Sequence, residues 1–213
     1  MIKASLFTLV LLCATLAATA REGQEWLTIT SFDGNSTNLP RVLLIGDSIT
    51  SRYSGEVRKN LKDKAYLSVM ATSKAVGDPA LLDEIKTILS QYQFAVVHFN
   101  IGLHGFTPDA YRKGFPEMLE TIKKYAPGAK LIWATTTPCQ GEEKSWSSRK
   151  RNEIADELIK KANIPVDDLY ALVMSNTNNP AVLWDGGGVH FTEAGAALQG
   201  KQVADSILKL LPQ

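Results

Sequence analysis

Short apolar runs alternate along the chain with longer segments in which apolar residues recur every three or four positions. Runs of the first kind are typical of buried strands, and segments of the second kind are typical of amphipathic helices. The predicted strands are RVLLIG, AYLSVMA, FAVVHFN and KLIWATT, with a short extended piece at IPVDDLY. The predicted helices are 55–61, 79–89, 108–125, 147–162 and 192–210. Residues 21–40 are mixed and rich in turn residues, which predicts irregular structure there.

The order of these elements predicts the fold class. Strands that are apolar on both faces must be covered by helices on both faces. The alternation of strand and helix therefore predicts an α/β fold, a three-layer α/β/α sandwich with a mainly parallel sheet. No internal repeat, low-complexity segment or linker divides the chain, so we expect residues 21–213 to form a single domain.

The N-terminus has the pattern of a cleavable signal peptide. Lys3 provides a positive charge, Ala4–Leu16 is an apolar run, and Ala18–Ala20 offers small residues for cleavage. The apolar run is shorter than the roughly 20 residues of a membrane span. We therefore interpret residues 1–20 as a signal peptide and expect a secreted or periplasmic protein with no integral membrane segment after cleavage.

Composition narrows the classes of partner and cofactor. The 213 residues are 45% hydrophobic, and 23 Lys and Arg face 22 Asp and Glu, so bulk charge does not favour a nucleic-acid partner. Of the two cysteines, Cys13 lies in the signal peptide, which leaves Cys139 without an internal disulfide partner. The scattered histidines show no metal-ligand spacing, so we expect neither a metal nor another cofactor.

A candidate nucleophile lies where the first predicted strand ends. In LLIGDSIT the strand runs through Gly46 and Asp47 to Ser48. In α/β sheets, functional residues collect at the carboxyl ends of the strands. Ser48 at such a turn suits nucleophilic attack, with nearby backbone N–H groups for an oxyanion. The alternative is that Asp47 or Ser48 only caps the next helix.

A candidate base lies near the other end of the chain, in AVLWDGGGVHFTEAG. His190 follows a run of three glycines and precedes the last predicted helix, which Thr192 is placed to cap. A histidine on such a loop can serve as a general base toward a serine at the sheet edge. The alternative is an ordinary surface or packed histidine.

Taken together, GDSI, the middle block FNIGLHG and the late D and VHFTEAG resemble the GDSL or SGNH hydrolase family, from about residue 41 to 211. The resemblance implies a flavodoxin-like sandwich in which Ser48 attacks an ester carbonyl and His190 is the base. It also implies that the backbone N–H groups of Ser48 and of Gly77, in SKAVGDP, bind the oxyanion.

The middle block departs from the family pattern G-x-N-D, because His104 stands where the asparagine belongs after Gly102. Asn100 lies four residues earlier, at the strand end. Either side chain can donate a hydrogen bond, so Asn100 and His104 are both candidates for the oxyanion hole in this N-x-G-L-H variant. His98, inside the apolar strand, is expected to be a hydrogen-bonded core residue.

The late block departs as well. The family's D-x-x-H pattern would place the orienting acid at position 187, which is Gly187, whereas Asp185 stands two residues too early. We interpret Asp185 as the acid, brought to His190 by a glycine-expanded loop. The alternative is a dyad of Ser48 and His190, with the ring oriented by a backbone carbonyl.

The predicted function is that of an exported serine ester hydrolase that removes short acyl groups, such as acetyl, from carbohydrate. Its partner would be a small-molecule or polysaccharide ester. Three alternatives stay open: a lipase or lysophospholipase-like esterase, a carbohydrate-binding protein on the same fold that has lost catalysis, and an enzyme that transfers the acyl group to a glycan.

Overall fold

The computed structural model describes residues 21, 23–105, 107–178 and 183–212. The expected signal peptide, residues 1–20, lies outside the described residues. Of the helices within the described ranges, none combines the length and the apolar character that a bilayer crossing requires.

The described residues form one mixed sheet. Its strands are β1 (Leu27–Ser31), β2 (Arg41–Gly46), β3 (Tyr66–Thr72), β4 (Val96–Phe99), β5 (Lys130–Ala134) and β6 (Val166–Asp167). They lie side by side in the order β1, β3, β2, β4, β5, β6. β1 pairs antiparallel with β3, and the other pairs are parallel. The parallel strands follow the flavodoxin-like order, in which ligands bind where the winding direction reverses. Here that point lies between β2 and β4.

Helices cover both faces of the sheet. They are α1 (Ser48–Asn60), α2 (Pro79–Leu89), α3 (Pro108–Tyr125), α4 (Glu142–Lys161), α5 (Leu169–Met174) and α6 (Glu193–Leu208). Along β2, Val42 and Leu44 pack into the apolar cluster under α1, α5 and α6, whereas Leu43 and Ile45 pack into the cluster under α2, α3 and α4. Successive strand residues point to opposite faces, so burial on both faces explains the continuous apolar run. This arrangement confirms the predicted three-layer α/β/α sandwich.

The predicted helices 79–89 and 108–125 are confirmed with their bounds, but the predicted start of the first helix is wrong. α1 begins at Ser48, seven positions before the expected residue 55. Its buried stripe, Ile49, Tyr53 and Val57, repeats at the four-residue spacing of a helix face. Because the residues between these positions are mostly polar, the sequence analysis did not detect this buried face. α4 likewise begins at Glu142 rather than at residue 147.

Among the described residues, the sequence analysis missed two elements. β1 lies in the segment predicted to be irregular, and because it is a half-exposed edge strand it has no apolar run. The other is α5, whose N-terminus is capped by Asp168 through a 3.0 Å bond from the backbone N–H of Ala171. α5 has only six residues, too few for a periodic pattern.

A buried polar network ties α6 to the sheet. His98 of β4 and Asp167 of β6 are both inaccessible, and their Nε2 and Oδ2 atoms lie 3.0 Å apart. The other carboxylate oxygen of Asp167 accepts a 2.7 Å bond from Gln202 of α6. Burial alone would raise the pKa of Asp167, but the hydrogen bond and charge of His98, with bonds from Gln202 and Ser206, outweigh it and lower that pKa. The prediction that His98 is a hydrogen-bonded core residue is confirmed.

We expect Asp167→Asn to lower the free energy of unfolding by about 1.5 to 3 kcal/mol near pH 7, the contribution of a hydrogen bond to a charged group. Because folding lowers the pKa of Asp167, its stabilisation is present above the unfolded pKa of about 3.9 and is lost as the pH falls through the folded pKa. The difference between variant and wild type should therefore shrink below about pH 4. Urea denaturation from pH 3 to 7 measures both effects.

The matched control is Asp205→Asn, which removes an exposed carboxylate paired with Lys201 on α6. We expect Asp205→Asn to lower the free energy of unfolding by less than about 1 kcal/mol. Equal costs for the two variants would contradict a stabilising role of the buried network.

Candidate active site

The turn from β2 into α1 presents Ser48 at the carboxyl edge of the sheet. A Cβ on Gly46 would lie 1.9 Å from Thr50 Oγ1, so only glycine allows this close turn. Asp47 is the N-cap of α1, and its Oδ1 accepts a 2.9 Å bond from the backbone N–H of Ile49. Ser48 is the first residue of the helix, where backbone N–H groups have no partner within the helix. The turn therefore combines capping by Asp47 with presentation of the Ser48 hydroxyl.

Ser48 and His190 lie together. The Ser48 Oγ and His190 Nε2 atoms are 2.8 Å apart, in a partly buried position. In the tautomer that carries its proton on Nδ1, the ring accepts the hydrogen bond of the Ser48 hydroxyl at Nε2. This is the geometry in which a histidine can remove the proton of a serine during attack.

The loop that carries His190 is a hairpin closed by antiparallel pairing. The Asp185 N–H donates to the His190 carbonyl at 2.9 Å, and the Thr192 N–H donates to the Leu183 carbonyl at 2.8 Å. Between these bonds Trp184 and Phe191 face each other, both buried, with stacked rings 5.9 Å apart. Because neighbouring residues of a strand point to opposite faces, Asp185 and His190 project together from the other face.

Three glycines turn this hairpin. The Gly188 N–H donates to the Asp185 carbonyl at 3.0 Å, and Gly188 has a φ of +67°. The Gly188 carbonyl in turn accepts a 2.6 Å bond from the Gln140 N–H, so the loop is anchored to the segment that enters α4. The spacing of five residues between Asp185 and His190 is thus the length of the hairpin that makes them opposite partners.

The carboxylate of Asp185 nevertheless points to other groups. Its Oδ1 accepts a 3.2 Å bond from the Gly187 N–H, and its Oδ2 lies 3.5 Å from Arg52 Nη2. Among the described residues, no hydrogen bond joins this carboxylate to the His190 ring. The structure therefore brings Ser48 and His190 into contact and places Asp185 beside them, turned toward Arg52. Sequence analysis missed Arg52, although its position four residues after Ser48 on one helix was a usable signal.

Both candidates in the middle block lie near the Ser48 turn. The Asn100 backbone N–H donates to the Ile45 carbonyl at 2.9 Å, and its side-chain amide donates to the Ala134 carbonyl at 2.6 Å. Asn100 and Asp47 also line the same small cavity. His104 follows in the loop after β4, close enough for its charge to act on the Asp47 carboxyl group.

Gly77 lies against α3. A Cβ on Gly114 would come within 2.4 Å of the Gly77 nitrogen, and Gly77 itself has a φ of +100°. The loop and the helix can approach this closely because both positions are glycine. Gly77 therefore packs closely against α3.

Burial and nearby charges act on Asp47 in opposite directions. Asp47 is 3% exposed, and this burial raises the pKa of its carboxyl group. The charges of His104 and His190 and the N–H groups of Ile49 and Thr50 lower the pKa, but burial prevails. Asp47 thus interacts electrostatically with both histidines of the site.

Within the described ranges, no group of three or more His, Cys, Asp or Glu side chains is arranged to hold a metal ion.

The sequence profile of the GDSL-like lipase/acylhydrolase family matches residues 44–198, a range that includes Ser48, the middle block and His190. No curated protein sequence matches the chain at a significant level.

Three solved structures illustrate the likeness of fold. A lipase/acylhydrolase from Enterococcus faecalis has a TM-score of 0.65 at 17% identity, over 82% of this chain and 98% of that chain. An acetyl xylan esterase has a TM-score of 0.65 at 18% identity, over 78% and 99%. The catalytic domain of peptidoglycan O-acetyltransferase A from Streptococcus pneumoniae has a TM-score of 0.58 at 21% identity, over 81% and 94%. At these identities the likeness shows the fold.

We expect Gly188→Ala to lower the free energy of unfolding by about 1 to 2 kcal/mol, the cost of a left-handed conformation for a residue with a Cβ. The new Cβ would also lie 3.0 Å from the Gln140 Cβ. Gly186→Ala is the matched control, because its Cβ would meet nothing within 4 Å and its φ is not positive. Urea denaturation compares the two, and equal costs would contradict this account of the turn.

Proposed function

The chain belongs to the GDSL-like lipase/acylhydrolase family, and on that premise we propose that it is a serine ester hydrolase with Ser48 as nucleophile and His190 as general base. The observation that carries this proposal is the 2.8 Å contact between Ser48 Oγ and His190 Nε2. A carbohydrate-binding protein that had lost catalysis would have no need of this contact.

The proposed reaction has two stages. In the first, His190 Nε2 takes the proton of the Ser48 hydroxyl while Oγ forms a bond to the ester carbonyl carbon. His190 then gives this proton to the departing alcohol oxygen, which leaves an acyl group on Ser48. In the second stage a water molecule attacks the acyl carbon in the same manner, with His190 again taking and returning a proton, and free acid leaves.

Asp185 is the proposed orienting acid. The antiparallel pairing places Asp185 opposite His190, and we propose that a rotation of the Asp185 side chain brings its carboxylate to the His190 ring. An acid in this position fixes the tautomer with the proton on Nδ1 and stabilises the imidazolium that forms during attack.

The proposed oxyanion donors are the backbone N–H of Ser48 and one side chain of the middle block. We favour His104 over Asn100, because His104 stands at the position of the asparagine in the family pattern. Gly77, which packs against α3, is kept as a candidate oxyanion donor.

The proposed substrate is a short acyl ester, such as an acetyl group on a carbohydrate. The similarity in fold to an acetyl xylan esterase and to a peptidoglycan O-acetyltransferase agrees with this choice. Secretion, proposed from the N-terminal segment, would place the enzyme where polysaccharides occur.

We expect the mature protein to hydrolyse a chromogenic acetate ester and Ser48→Ala to lower kcat at least about a thousandfold. A fluorophosphonate probe should form a covalent bond to Ser48 Oγ with loss of fluoride, detectable by mass spectrometry. Ser51→Ala, an exposed serine three positions later on the same helix, is the matched control and should keep full activity. Equal rates for Ser48→Ala and wild type would overturn the serine mechanism.

We expect His104→Ala to lower kcat by about a hundredfold to a thousandfold, the usual effect of removing one oxyanion donor. Asn100→Ala should lower kcat less and should lower stability instead, because it removes the partly buried hydrogen bond that joins the end of β4 to β5. Steady-state kinetics and urea denaturation of both variants measure the difference. If Asn100→Ala lowers kcat more than His104→Ala does, Asn100 is the oxyanion donor instead.

A further inference from the structure

Arg52 lies between the nucleophile and the hairpin of the proposed base. It is four residues after Ser48 on α1, so the two side chains lie on one face of the helix. Its Nη2 atom lies 3.5 Å from Asp185 Oδ2, and its Nη1 atom donates to the Phe191 carbonyl at 3.3 Å. One guanidinium thus contacts both strands of the hairpin that presents His190.

The Asp185 carboxylate contacts Arg52 and the Gly187 N–H but not the ring of the facing His190. Antiparallel pairing puts Asp185 and His190 on the same face of the hairpin, directly opposite each other. His190 Nε2 is directed to Ser48, and among the described residues none hydrogen-bonds its Nδ1 atom. The carboxylate is instead directed to Arg52 and to the Gly187 N–H.

We propose that Arg52 is a positioning residue that competes with His190 for the carboxylate of Asp185. The structure has the carboxylate on Arg52, with a pair of Ser48 and His190 as the reacting groups. Rotation of the Asp185 side chain to His190 Nδ1 completes a triad. This inference rests on the proposed esterase function and goes beyond it, because it assigns to Arg52 the control of whether the acid takes part.

The contact with Arg52 is weak enough to be given up. Both side chains are partly exposed, at 47% for Arg52 and 33% for Asp185, and the atoms are 3.5 Å apart. Exposed ion pairs of this kind contribute little to stability and are weakened by salt. The 3.2 Å bond from the Gly187 N–H uses the other carboxylate oxygen. The ion pair with Arg52 can therefore be given up at little cost in free energy.

The test is a set of four variants: Arg52→Gln, Asp185→Asn, the double variant, and Lys59→Gln as the control for loss of an exposed cation on α1. With a neutral acetate ester, we expect Arg52→Gln to raise kcat about two- to fivefold at unchanged KM, the shift expected from an exposed ion pair. Asp185→Asn should lower kcat at least about tenfold. The double variant should match Asp185→Asn, because without the carboxylate there is nothing to compete for. Lys59→Gln should behave as wild type.

Salt and proton NMR give readouts that a purely structural role would not change. Higher ionic strength should raise kcat of the wild type and leave Arg52→Gln unchanged. A downfield resonance from a His190 Nδ1–H bonded to a carboxylate should be stronger in Arg52→Gln than in wild type and absent from Asp185→Asn.

If Arg52→Gln changes kcat by the same factor in the wild type and in the Asp185→Asn variant, the proposal is overturned. A downfield resonance that Arg52→Gln leaves unchanged would overturn it as well. If no variant shows turnover that depends on Ser48, the proposed function fails, and the NMR comparison alone still decides whether Arg52 competes with His190.

Discussion

The close packing of α1 against α6 is the constraint on which the candidate site depends. Ser48 is the first residue of α1 and His190 precedes α6, so the relative position of these helices sets the distance between the two side chains. A Cβ on Gly200 of α6 would lie 2.8 Å from the Tyr53 carbonyl of α1, which shows how closely the helices approach. A contact between residues 142 positions apart is thereby fixed by a helix interface.

The sheet holds this helix interface in position. Both helices pack on the face of β2 that presents Val42 and Leu44, and the Asp167 network joins α6 to β4 and β6 through His98 and Gln202. Apolar contacts supply most of the burial, whereas the buried hydrogen bonds select one position of α6 along the sheet, since a displaced helix would leave a carboxylate without its partners.

The sequence predicted the parallel strands and the three layers, because strands buried on both faces have continuous apolar runs. It also predicted the places of Ser48 and His190, because functional residues collect at the carboxyl edge of a parallel sheet. β1 and the true start of α1 did not follow, since a half-exposed strand and a helix with many polar residues lack an apolar run. The contact partner of Asp185 could not be predicted from sequence for a different reason. Its contact with Arg52 joins distant segments, and local spacing carries no information on which of two neighbouring groups a carboxylate will contact.

The glycine-rich hairpin shows how a spacing that departs from a family pattern can still place an acidic residue opposite the histidine. In D-x-x-H the acid would fall at Gly187, whereas antiparallel pairing makes Asp185 the residue opposite His190. Gly186 to Gly188 form the turn that this pairing requires, and the buried rings of Trp184 and Phe191 fix which face the acid and base occupy. The extra length also brings Asp185 within contact of α1. In our proposal this acid can therefore pair either with the base or with the cation.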